Sequence, residues 1–178
     1  MKYIIGATSV LVILLLGALI FVYSGLYDMS AIAHHNKLTL WMINTMRDNS
    51  IKHHANDPNI KPPNLSDTSL IKTGFAHYNR RCVGCHGAPG KEQGELAQKG
   101  YYPHPPPLVR TAKEFTPQEL FWITKNGLKM TAMPAFGTVF PDEMIWAIVS
   151  FTQKLPNMNS EEYQTLVNET KVETFKGK

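Results

Sequence analysis

Cysteine is scarce in this chain: of 178 residues only Cys82 and Cys85 are cysteine, and they share one Cys-x-x-Cys. No thiol remains for a second cluster, which excludes a four-thiolate zinc or iron–sulfur site within one chain. Runs of one charge are missing too. Eighteen Lys and Arg stand against fourteen Asp and Glu, a formal net charge of +4, and they are scattered along the sequence. Nucleic acid is therefore not an expected partner, and the charge supports only a mild preference for acidic surfaces or anionic lipid headgroups. No stretch alternates with period two and no internal repeat is present, so neither a sheet nor a solenoid is expected. With 43% hydrophobic and 18% charged residues, disorder throughout is excluded. The length suits one compact domain with appendages.

Charge is also absent from Tyr3 to Tyr23, YIIGATSVLVILLLGALIFVY. About 20 apolar or small residues suffice to cross a hydrocarbon core of ~30 Å at 1.5 Å per residue. Residues 1–25 are therefore read as a transmembrane anchor. Lys2 precedes the run and Asp28 follows it, so the positive-inside bias leaves the N-terminus in the cytoplasm and puts the rest outside. The competing reading is a cleaved signal peptide, with Val22-Tyr23-Ser24 as a passable site. Its apolar core would exceed the usual length of roughly 7–15 residues. Both readings export residues 25–178.

Residues 26–66 form a membrane-proximal segment. Within it Leu38, Trp41, Met42, Thr45, Met46 and Asn49 recur near helical spacing, predicting a short amphipathic helix on the membrane, the domain or a partner. Asp57-Pro58 and Pro62-Pro63 then break structure, so DPNIKPPNLSD reads as a linker. The domain proper spans 67–156. Ser66 or Asp67 can cap a first helix through LIKTGFAHYNR. A loop rich in Gly and Pro follows from Gly87 to about Leu108. Thr116-Pro117-Gln118-Glu119 is a capping box with proline at the first helical position, and Gly127 ends that helix. Pro141 opens a last helix, DEMIWAIVSFTQKL, which Pro156 terminates. Residues 157–178 are a polar tail with room for one short helix at most.

Cys82-Val83-Gly84-Cys85-His86 has the spacing for covalent attachment of one c-type haem. Two thiols so placed can add to the two vinyl groups of one porphyrin, and the next residue reaches the iron from one face. A thioredoxin-like motif needs a βαβ setting, which is missing, and zinc needs further ligands. A sixth iron ligand is then required. Met130 and Met133 both offer soft thioether sulfur in GLKMTAMPAFG, and thioether ligation raises the reduction potential. Pro134 stiffens the backbone beside Met133, which favours that residue. With both axial positions filled, no place remains for oxygen or substrate.

On these residues the segment 67–156 resembles a class I monohaem cytochrome c domain. Gly74 and Tyr78 on the first helix, Cys82–His86 with Gly87, Met133-Pro134, and the closing helix with Trp146 and Phe151 carry the likeness. The resemblance implies an all-α fold around one covalent haem c. It implies crossed first and last helices, with Gly74 allowing close approach and Tyr78, Ala147 and Phe151 packing there. It also implies a proline carbonyl on the ring N–H of His86, for which Pro106 is the candidate. At lower specificity, the anchor, SGLYDMSA, the His/Trp-containing helix and HYNRRCVGCHGAPG together are similar to the membrane-anchored monohaem subunit of alternative complex III.

The remaining histidines are ambiguous. His34-His35 and His53-His54 bracket the proposed membrane-proximal helix and read as polar surface groups ahead of metal ligands. His77 is expected to be exposed or packed near the haem, and His104 could approach a propionate. The sequence therefore points to an electron-transfer protein, not an enzyme in its own right. It would sit single-pass in a bacterial cytoplasmic membrane with its haem domain on the periplasmic side. Expected partners are the membrane, other subunits of a respiratory complex, and a redox donor and acceptor. Competing readings are a cytochrome subunit of a periplasmic dehydrogenase, a gas sensor or peroxidase-like protein with an open iron position, and a structural subunit with a vestigial haem.

Overall fold

The computed structural model describes the backbone of residues 2–176 and the side chains through residue 170. It divides into two units, residues 1–34 and 35–178. The first is dominated by α1, Lys2–Tyr23, whose side chains are all exposed. Its length and composition are those of a membrane-spanning helix.

The second unit is helical, and the described residues contain no strand, only an isolated bridge between Ala88 and Lys91. Its elements are α2 (Lys37–Ala55), α3 (Thr68–Arg81), α4 (Val83–His86), α5 (Glu95–Lys99), α6 (Leu108–Thr111), α7 (Pro117–Asn126), α8 (Asp142–Thr152) and α9 (Ser160–Lys176). Local chemistry sets the ends of these helices. Asp67 caps α3 by accepting from the Ser69 N–H at 2.8 Å. At α7, Thr116 and Glu119 exchange side-chain and backbone bonds in a complete capping box with Pro117 at the first position.

Helices α3 and α8 cross at the centre of the unit. Every residue of α8 from Ile145 to Thr152 is buried, as expected of a helix covered on several sides. Phe75, Tyr78, Ile148, Phe151 and Leu155 form one apolar cluster, and Leu120, Phe121, Ile145, Trp146 and Val149 form a second between α7 and α8. Each such side chain contributes about 1.5–3 kcal/mol on burial. The crossing is close because position 74 has no side chain. A Cβ there would collide with the carbonyl of Ala147 and lie 3.0 Å from the Cβ of Phe151.

The structure adds detail in two segments and departs from the expectation in the tail. The apolar stripe of α2 is the exposed one: Leu38, Trp41, Met42 and Met46 face out. The helix packs on α7 through its other side, with Ile51 and Ala55 buried and His54 stacked on Trp122 at 5.4 Å. The linker after α2 is not a free tether. Ile60 and Leu65 pack on the second cluster, and Ser150 Oγ donates to the Leu65 carbonyl at 2.7 Å. The polar tail carries a 17-residue helix in place of a short one. Tyr163 on α9 is fully buried against Phe75, and its hydroxyl donates to Asn79 Oδ1 at 2.8 Å. Residues 177 and 178 of the tail lie outside the described residues.

Gly74→Ala should destabilise the unit by about 3 kcal/mol or more, because the intruding methyl meets backbone that cannot move aside. Denaturant unfolding of the full chain in detergent reads this directly.

Candidate haem site

Helix α3 ends at Cys82, whose N–H donates to the Tyr78 carbonyl, and the chain continues directly into the single turn α4. The Cys85 and His86 N–H groups both donate to the Cys82 carbonyl, at 3.1 and 2.9 Å. The two thiols and the imidazole therefore leave one compact turn. The turn is held from below by Tyr78, fully buried, whose hydroxyl donates to the Gly87 carbonyl at 2.7 Å. Burial pushes the Tyr78 phenol far above its ordinary range, so it stays a neutral donor.

His86 is half-buried, and its Nδ1 lies 2.8 Å from the Pro106 carbonyl oxygen. A carbonyl only accepts, so Nδ1 carries the proton and the Nε2 lone pair is left for a metal. Burial pushes the His86 pKa down, opposed by the Pro106 bond. The net direction favours the neutral imidazole. Cys82 is buried, and its thiol is pushed up to about 12, first by burial and then by Cys85 beside it, with Arg81 opposing. Such a thiol is no low-pKa nucleophile of the redox Cys-x-x-Cys kind. Cys82 and Cys85 are not joined to each other.

The proline run that carries this carbonyl is itself held in place. Gln93 Nε2 donates to the Cys85 carbonyl at 2.6 Å and to the Pro105 carbonyl at 2.8 Å, stapling the Cys–His turn to the proline run. Sequence reading did not single out Gln93, and a lone glutamine in a polar loop gives no signal. Both partners are carbonyls, so the amide nitrogen must face them.

Met133 lies on the turn after α7. Its N–H donates to Thr131 Oγ1 at 3.0 Å and its carbonyl accepts from the Leu128 N–H at 3.2 Å. Gly127, at φ +67°, lets the chain reverse there, and a Cβ on it would come within 2.8 Å of the Met133 carbonyl and the Pro134 backbone. Met133 is half-buried, whereas Met130 is 66% exposed and sits at φ +56°.

The other histidines are spread out. His35 contacts Tyr102 at 5.4 Å, His53 lies edge-on to His54, and His104 is exposed. His77 packs edge-on against Phe140 at 5.1 Å, and burial together with Arg81 and Arg80 lowers its pKa. Among the described residues no three or more His, Cys, Asp or Glu side chains are arranged to hold a bare metal ion. Cys82, Cys85 and His86, adjacent as they are, do not converge on a point. As two thiols and an imidazole on one turn, they would suit a larger group that the thiols bond covalently and the imidazole ligates.

Residues 69–151 match the protein family described as Cytochrome C oxidase, cbb3-type, subunit III. No curated protein matches the chain. This helical segment is a cytochrome c domain, which implies covalently bound haem c and an electron-transfer role.

Gln93→Leu removes both staples while keeping volume. The expected cost is about 1–3 kcal/mol, since two carbonyls lose their donor, measured by denaturant unfolding of the holoprotein.

Proposed function

We propose that the chain is a membrane-anchored monohaem c-type cytochrome. In this reading it passes single electrons on the outer side of a bacterial cytoplasmic membrane. The observation that carries this reading is the Cys82–His86 turn with its Nδ1–Pro106 bond, which leaves one imidazole nitrogen free beside two thiols of a single attachment site. Cys82 and Cys85 would hold the haem through thioethers, and His86 and Met133 would ligate its iron. When bound, the haem supplies an iron that cycles between ferric and ferrous states. The chain's part is to bind, orient and shield it. Pro106 fixes the His86 tautomer, and the fixed Met133 turn presents a soft sulfur that favours the ferrous state. Burial and the doubly bonded backbone of Met133 favour it over the exposed Met130.

Lys2–Tyr23 serves as a single-pass anchor, and the remainder lies outside by the positive-inside bias. The electron's neighbours are other subunits of a respiratory oxidoreductase. A quinol-oxidising assembly of the alternative complex III type is supported by the resemblance of the anchor and residues 24–66. A second reading, a cytochrome subunit of a terminal oxidase, is favoured by the family matched over residues 69–151. Purification from native membranes in mild detergent separates the two by the subunits that co-migrate. A lone soluble protein in that experiment defeats the anchor and the assembly together.

The ligand assignment has its own test. Met133→Leu should lower the midpoint potential substantially, whereas Met130→Leu should leave it unchanged. A redox titration showing the reverse order would exchange their roles.

A further inference from the structure

A cleft of about 460 Å³ opens between α2, the Tyr102–Pro103 segment and the end of α7 with its following turn. That volume is in the range of sites that hold cofactor-sized groups. Two of its walls lead to the proposed iron ligands. Tyr102–Pro103 runs on into Pro106, whose carbonyl faces His86, and Thr131 in the opposite wall accepts the Met133 N–H. His86 and Met133 do not line the cleft themselves, but the segments that lead to both of them do. The third wall, α2, lies outside the segment that matches the cytochrome family, so it is a feature of this chain beyond that domain.

The charge of the cleft is one-sided. Arg47 and Lys129 line it, and no Asp or Glu does. Arg47 uses its Nε on Asp48 at 2.8 Å, and four further N–H donors remain on its guanidinium fork. His35, Asn44, Ser50, Tyr102 and Asn126 add polar groups, His35 and Tyr102 being the further titratable side chains of the lining, with Asp48 beside it on Arg47. Cys82 and Cys85 are not part of the lining either, so a haem held by them would turn an edge other than the thioether edge toward the cleft. In haem c the edge opposite the thioethers carries two propionates, and carboxylates are the partners an arginine fork fits.

We propose that α2 is a wall of the haem crevice and that Arg47 is the principal counter-charge for the propionate edge. The inference rests on the reading of His86 and Met133 as axial ligands. It gives the membrane-proximal helix a role in setting the potential, as a positioning element and not a passive spacer. A cation there disfavours the extra positive charge of ferric iron.

The test uses the full-length holoprotein in detergent and reads the midpoint potential across pH. Arg47→Gln should lower the potential and make it more dependent on pH, because a propionate without its cation titrates nearer neutrality. Arg47→Lys should restore most of the potential, and Lys61→Gln, an equal charge change on the exposed connector, should leave it at the wild-type value. If Arg47→Gln does not assemble, Lys129→Gln on the exposed turn carries the test with a smaller fall. A potential in Arg47→Gln equal to that of Lys61→Gln overturns the proposal. So does an equal fall in the Gln and Lys variants, which would mark Arg47 as structural only. Wild-type protein without covalent haem would bring down the functional reading itself, and the inference with it. Covalent haem with no effect at Arg47 or Lys129 sinks the inference alone.

Discussion

The close crossing of α3 and α8 at Gly74 is the constraint on which the rest of the domain depends. It places the end of α3, and so the Cys82 turn, against the most buried helix in the molecule. From the other side of α8, α7 stacks Phe121 on Trp146 at 4.2 Å and carries the Met133 turn at its end. The proposed proximal and distal ligands therefore hang from two helices that share one packing partner. Interiors packed at crystal-like density transmit small shifts with little loss. The position of the Cys82 turn thus depends on a contact in which the missing side chain of Gly74 lets α3 approach the Ala147 backbone and Phe151.

Around the His86 turn, the polar bonds form a second level of control. Tyr78 holds the turn from the helix side, and Gln93 joins it to the proline run. The Pro106 carbonyl then sets which imidazole nitrogen keeps its proton. The Tyr78 bond is buried, the Gln93 bond half-buried and the Pro106 bond exposed, and all three join neutral groups, which would suit a site that changes charge by one unit while moving few atoms. The protein contributes geometry and dielectric, and the iron contributes the chemistry.

Much of this was legible in the sequence, because the signals were local. The Cys–His spacing, the Thr116–Glu119 box and the glycine at 127 each depend on residues a few positions apart. What escaped depends on partners far along the chain. Periodicity marked a stripe on α2 but could not say which face would meet α7, and the larger residues Trp41 and Met46 stayed outside while Ile51 and Ala55 went in. The prolines of residues 57–67 correctly ended helical structure, yet a proline-stiffened segment can still pack, as Ile60 and Leu65 do. In the tail, Tyr163, Leu166 and Val167 do repeat at helical spacing. Apolar residues are a minority among the polar ones there and do not announce a docked helix. Gln93 had no pattern to be found by.

The central claim is that the iron has no open coordination position and so can only exchange electrons. It is tested most directly by the visible spectrum of the purified wild-type holoprotein, ferric and then reduced under carbon monoxide. The account predicts a methionine-to-ferric-iron charge-transfer band at the red end of the spectrum and a ferrous spectrum that carbon monoxide does not change. Rapid carbon monoxide binding to the reduced protein, with no such band in the ferric form, would contradict it.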